Sequence, residues 1–220
     1  MAMARPGVLR GGKLPTYLWG RSETFNKNIV RVQAGTNIKM NPDVESITVD
    51  EIRHFNFNYT AYLNDILLLK LSKPLVFSLS IRPVCLNSLN VAESLYDVCV
   101  FTGYPSNGNT LGWPKPVLMK ARIKPITESD CKKLFVNLTG RGEENFKVAY
   151  DKQLCALTAK KDTKICKGDS GGALVCRNSE LQWFQIGIFS SSYYIGENFC
   201  VIPISTRISY YYQDILRAIQ

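Results

Sequence analysis

Seven consecutive residues, Cys166-Lys167-Gly168-Asp169-Ser170-Gly171-Gly172, carry the strongest chemical signal in this chain. Small residues around Ser170 let the backbone turn tightly and let another molecule approach the hydroxyl closely. Backbone N–H groups of Gly168 and Ser170 could point together at a developing oxyanion. The chemistry is that of a nucleophilic serine. Such a hydroxyl is inert near neutral pH until an adjacent base takes its proton. The usual base is a histidine oriented by a buried carboxylate. This chain has a single histidine, His54.

The segments around these residues read as strands. Ile29–Gly35 alternates apolar and polar side chains and ends in a turn signal. Ile47–Ile52 is a second strand candidate, and Asp65–Leu71 is a strongly apolar one that begins at a carboxylate. Pro74 and Pro83 bracket a connection, and Val98–Tyr104 opens a second series of strands. Ala173–Cys176 and Trp183–Phe189 form the last strong pair. A short helical stretch is expected at Glu128–Leu134, with Thr127 as its N-cap. Ile208, Tyr212, Ile215 and Ile219 fall at helical spacing and predict a short amphipathic helix at the end. Residues 1 to 27 read as a polar, glycine-containing, weakly structured arm.

Composition narrows the setting. Seven cysteines in 220 residues suggest an oxidising compartment. None shows the paired short spacing of a zinc site, and an odd count leaves at least one thiol without an internal partner. Asn58-Tyr59-Thr60 and Asn137-Leu138-Thr139 are N-glycosylation sequons. The first 20 residues lack a continuous apolar core and do not read as a signal peptide. No run approaches the length of a membrane span. The formal net charge is +9, and residues 115 to 167 supply +7 of it. That field suits an acidic partner such as a sulfated glycan, although a solvated basic face is the commoner reason for such a run. Nothing resembles a nucleic-acid-binding motif.

In these segments the chain resembles the trypsin-like, chymotrypsin-fold serine proteases. Besides the loop around Ser170, the likeness lies in Asn64–Leu71, Ile81–Leu86, Cys99–Tyr104, Gln153–Ala156 and Thr206–Ser209, in the family's order. It covers about residues 29 to 220. It implies an all-β fold of two antiparallel six-stranded barrels with a short C-terminal helix, and no cofactor. The domain plan it suggests is an atypical arm (1–28), a first barrel (29–96), a second barrel (97–207) and a terminal helix (208–220). It makes Ser170 the nucleophile position and Asp65 the carboxylate that would orient the base. Lys164 takes the position at the base of the substrate pocket, and Ser192 and Pro203 take its walls. The implied disulfides are Cys99–Cys176, Cys131–Cys155 and Cys166–Cys200. Cys85 is then left over, either for a disulfide-linked partner or as a buried free thiol. The family is extracellular, and its partners are protein substrates and inhibitors.

The chain departs from this pattern in several places. The family's catalytic histidine sits in an Ala-His-Cys-like segment well upstream of the aspartate, and no such segment is present. His54 matches a loop where a non-catalytic histidine is common. The first barrel is therefore expected to be incomplete, as though a block of sequence were missing. The apolar N-terminus that would pair with Asp169 is missing too, which leaves that carboxylate a costly buried charge unless another donor reaches it. Lys164 would repel the basic substrate side chains that an aspartate there favours, and accept acidic ones unless it snorkels to water.

Two readings result. The first is a catalytically deficient protease homologue that acts by binding a protein, an inhibitor or a polyanion. The second is a fragment or isoform of an active secreted endopeptidase that hydrolyses peptide bonds.

Overall fold

A computed structural model describes residues 4–5, 17–20, 27–88, 96, 98–104, 117–160, 163–166, 168–195 and 199–220. Twelve strands are assigned among them. The N-terminal half holds β1 (Ala4–Arg5), β2 (Tyr17–Gly20), β3 (Arg31–Val32), β4 (Ile47–His54), β5 (Leu67–Leu71) and β6 (Val84–Leu86). The C-terminal half holds β7 (Val98–Gly103), β8 (Met119–Ile126), β9 (Gln153–Thr158), β10 (Ala173–Arg177), β11 (Trp183–Ile195) and β12 (Phe199–Arg207). Two α-helices, α1 (Glu128–Thr139) and α2 (Ile208–Ala218), and a short 3-10 turn at Glu143–Asn145 complete the set.

Strands β7 to β12 close a six-stranded antiparallel barrel in the order β11-β10-β7-β8-β9-β12, with β12 pairing back onto β11. Closure leaves no free edge within this ring. Alternation fills its interior. Cys99 and Phe101 of β7 turn inward and pack with Ile123, Leu154, Leu174, Ile186 and Phe189. Phe101 and Phe189 meet edge to face at 5.7 Å. Cys99 lies directly opposite Cys176, and a disulfide joins them.

In the N-terminal half, β2-β5-β4-β3 form an open sheet among the described residues, while β6 pairs parallel with β11 of the barrel and β1 pairs parallel with β6. The centre of the open sheet is β5, whose apolar run has a physical reason. Leu67, Leu69 and Leu71 face Val32, Ile47 and Val49 of the small sheet. Ile66 and Leu68 face the other way, against Leu86, Ile188 and three side chains of α2. A strand covered on both faces reads as a continuous hydrophobic stretch instead of an alternating one. Each such buried side chain contributes about 1.5–3 kcal/mol of transfer free energy. Together they press the residue that precedes them, Asp65, into the seam between the two halves.

The helices are set by local signals. The Thr127 hydroxyl accepts the N–H of Asp130 at 3.2 Å and caps α1. The helix runs on to Thr139, one and a half turns past the sequence expectation, and ends at Gly140, whose N–H reaches the Val136 carbonyl at 2.9 Å. A disulfide from Cys131 to Cys155 ties α1 to β9. Helix α2 buries Ile208, Tyr211 and Ile215. Tyr211, not Tyr212, takes the fully buried place on that face, with Tyr212 packed partly at its side.

Two other elements differ from the sequence reading. The alternating stretch Ile29–Gly35 pairs only through Arg31 and Val32. Tyr17–Gly20, within the segment read as weakly structured, pairs antiparallel with β5 over all four residues. The β5 edge offers unpaired backbone donors and acceptors, which an extended segment of almost any sequence can satisfy.

Candidate active site

Asp65 is fully buried at the head of β5. Its position is enforced from the second half. The Ser190 hydroxyl on β11 donates to Asp65 Oδ2 at 2.6 Å, and the Thr206 hydroxyl on β12 donates to the Asp65 carbonyl at 2.9 Å. One residue upstream, the Tyr211 hydroxyl of α2 donates to Asn64 Oδ1 at 2.7 Å. Three elements thus converge on a two-residue segment. Ser190 was not singled out by sequence reasoning, because an isolated hydroxyl in a strand carries no motif, and Thr206 entered only as the first residue of the Thr206–Ser209 likeness, with no role given to its hydroxyl.

Ser170 sits half-buried in the turn before β10. The Gly171 N–H donates to the Phe189 carbonyl at 2.9 Å, and the Phe189 N–H returns a bond to the Gly172 carbonyl at 2.9 Å. This pair of bonds pins the turn to β11. Gly168 has φ 100°, a conformation that side-chain-bearing residues rarely adopt. A Cβ on Gly172 would lie 2.6 Å from the Thr102 carbonyl oxygen, so close approach to β7 demands glycine there. On the upstream side, the Cys166–Cys200 disulfide anchors the loop to β12.

Asp169, next to Ser170, is 5% exposed. The Cys166 N–H donates to its Oδ2 at 3.1 Å. Burial pushes its carboxyl pKa up, and that hydrogen bond pulls it partly back. The donor that the sequence analysis left open is therefore the backbone of its own loop.

A cavity of about 510 Å³ opens beside Ser170. The stretch Phe189–Tyr194 forms one wall, and Thr60, Ala61 and Tyr62 reach it from the first half. Among the described residues Lys147 is the one cationic side chain in its lining, and no described carboxylate lines it. Ser192 lines the cavity and donates its hydroxyl to the Ile165 carbonyl at 2.9 Å. Pro203 lies buried opposite Ser192 on β12 but does not line the cavity. Lys164 is exposed and is not among the lining residues. Lys147, Tyr62 and Tyr193 were not anticipated, since each lies far in sequence from the serine loop.

His54 occupies the last position of β4, opposite Leu67 of β5, and is exposed. It does not line the cavity. Cys85 is a free cysteine on β6 and is exposed, so the buried-thiol reading fails. No group of side chains among the described residues could hold a metal ion. None of the described helices is long and apolar enough to cross a membrane.

A closed antiparallel barrel, a second sheet and a terminal helix, meeting where Asp65 is buried, define the chymotrypsin fold. The family model named Trypsin matches residues 22–215, and the chain belongs to that family of serine proteases. Among its relatives is mouse transmembrane protease serine 11C, 30% identical over 164 residues, which are 73% of this chain and 35% of that protein. Human testisin is 32% identical over 127 residues, covering 57% of this chain and 38% of that protein. The chain thus spans little more than a third of the length of these two relatives.

Proposed function

We propose that this chain is a catalytically deficient protease homologue that binds a protein, an inhibitor or a polyanion instead of hydrolysing peptides. One observation carries the reading. The chain's single imidazole belongs to His54, which ends β4, is exposed and is not among the residues lining the cavity beside Ser170. Ser170 and Asp65 are taken as the positions of nucleophile and orienting carboxylate, with Gly168 and Ser170 supplying the oxyanion donors. Without a base between them, the rate falls by several orders of magnitude, leaving only what the oxyanion donors and binding provide. We take residues 29–220 as the protease-like domain, with its second barrel at 97–207, and place the protein outside the cell. Three disulfides support that location.

Labelling with a fluorophosphonate probe tests the reading. The expected result is labelling no faster than in the Ser170→Ala variant. Serine-dependent labelling at the pace of an active protease would overturn it.

A further inference from the structure

The sequon Asn58-Tyr59-Thr60 lies in a loop whose geometry has a use apart from the serine. We propose that Asn58 is an N-glycosylation site whose glycan stands at the mouth of the cavity beside Ser170 and screens it from macromolecules.

The loop is well defined. The Asn58 N–H donates to the Leu63 carbonyl at 2.9 Å, and Asn64 Nδ2 donates to the Asn56 carbonyl at 3.0 Å. Phe57 packs edge to face on Tyr59 at 4.5 Å. Asn58 Oδ1 accepts the N–H groups of Thr60 and Ala61, both at 3.0 Å. These bonds use only the carboxamide oxygen. Nδ2 is the atom that takes a glycan, and a glycosylated asparagine keeps its oxygen as an acceptor, so the turn survives modification. Asn58 and Thr60 are both exposed.

Proximity to the cavity follows from the chain itself. Thr60, Ala61 and Tyr62 line it, and the Tyr62 carbonyl accepts Gln153 Nε2 of β9 at 3.1 Å. Two residues of chain span at most about 7 Å. A glycan is bulky and reaches past that distance. The second sequon differs. Asn137 is on α1, the Thr139 hydroxyl donates to the Phe135 carbonyl at 2.7 Å, and none of its three residues lines the cavity.

The transfer is balanced. Asn58 Nδ2 attacks the anomeric carbon of a lipid-diphosphate-linked oligosaccharide. A C–N bond forms, the C–O bond to the diphosphate breaks, the lipid diphosphate leaves with the electron pair, and Nδ2 loses one proton. The disulfides point to the oxidising compartment in which such donors act.

The test uses the full chain secreted from mammalian cells behind a cleavable leader. Release by a peptide-N-glycosidase, which hydrolyses the side-chain amide and expels the glycosylamine, should convert Asn58 to a labelled aspartate in heavy-oxygen water. Asn58→Gln and Thr60→Ala should each remove one glycan, whereas Thr60→Ser should retain it. For the screen, Tyr194→Cys on the cavity rim is placed in a Cys85→Ser background. A polymer-linked maleimide should react several-fold more slowly with the glycosylated protein than after glycan removal, and N-ethylmaleimide should react equally with both. An unmodified Asn58 peptide, or equal polymer rates with and without the glycan, would overturn the proposal.

Discussion

Ser190 Oγ donates to Asp65 Oδ2 at 2.6 Å across the seam between the two halves of the molecule, and both residues are buried. A buried carboxylate that loses a donor loses part of what offsets its desolvation cost. The expected loss on Ser190→Ala is about 1–3 kcal/mol, read from urea unfolding midpoints. Asp65→Asn in the Ser190→Ala background should cost less than Asp65→Asn in the native protein, because the charge that needed the donor is gone. Additive losses would mean that the two side chains do not depend on each other.

Asp169 gives a pH dependence of defined sign. Its carboxyl group is raised by burial, so the folded state keeps its proton at pH values where the unfolded chain has released it. Stability from this group is therefore greatest below the ordinary carboxylate range. It declines as pH rises through the raised folded value, and then levels off. Asp169→Asn should remove that decline while still accepting the Cys166 N–H. The variant should be the more stable protein above the window, and the advantage should vanish on acidification. Chemical unfolding measured from mildly acidic to neutral pH checks this, and a constant difference across the range would contradict it.

Much of this arrangement was legible because strong patterns have strong causes. The run Ile66–Leu71 is apolar except at the half-buried Lys70 because β5 is packed on both faces, and that places Asp65 at its head. Thr127 announced α1 through its capping hydroxyl. Less was legible where backbone pairing or distant packing decides. Residues 17–20 join β5 through main-chain bonds, which carry no side-chain signature. Strand β11 continues six residues past Phe189 because β12 stays paired with it to Ile195, and a polar run of serines gives little hint of that. Ser190 became meaningful only when the fold brought it to a residue 125 positions away.

Two glycines near helices and turns should respond very differently to the same change. A Cβ on Gly172 would meet Phe101 Cζ at 2.5 Å and the Thr102 carbonyl oxygen at 2.6 Å. The oxygen belongs to a paired strand of the barrel and cannot move alone. Gly172→Ala should cost about 1–3 kcal/mol through overpacking and should disturb the turn carrying Ser170. Gly140 has φ 66° but open space around it. Gly140→Ala should cost about 1–2 kcal/mol through backbone strain alone and leave the site intact. Unfolding midpoints with near-ultraviolet circular dichroism separate the two. A Gly172→Ala protein with native stability would refute the close-packing argument.

The disulfides allow a ranked prediction. Cys99–Cys176 closes a separation of 77 residues, and Cys131–Cys155 closes one of 24. If each bond acts mainly by restricting the unfolded chain, the longer closure should stabilise more, by about 1 kcal/mol. Paired cysteine-to-alanine variants, one pair at a time, should each lose roughly 2–5 kcal/mol, with Cys99 and Cys176 the costlier pair. The packing argument points the same way, since Cys99 and Cys176 sit in the barrel core with Phe101 and Phe189. Cys131 and Cys155 are equally buried, but beneath α1, which has its own N-cap and C-terminal glycine. Urea midpoints at fixed pH decide the order. A reversed ranking would show that α1 depends on its covalent tether more than the barrel depends on closure between β7 and β10.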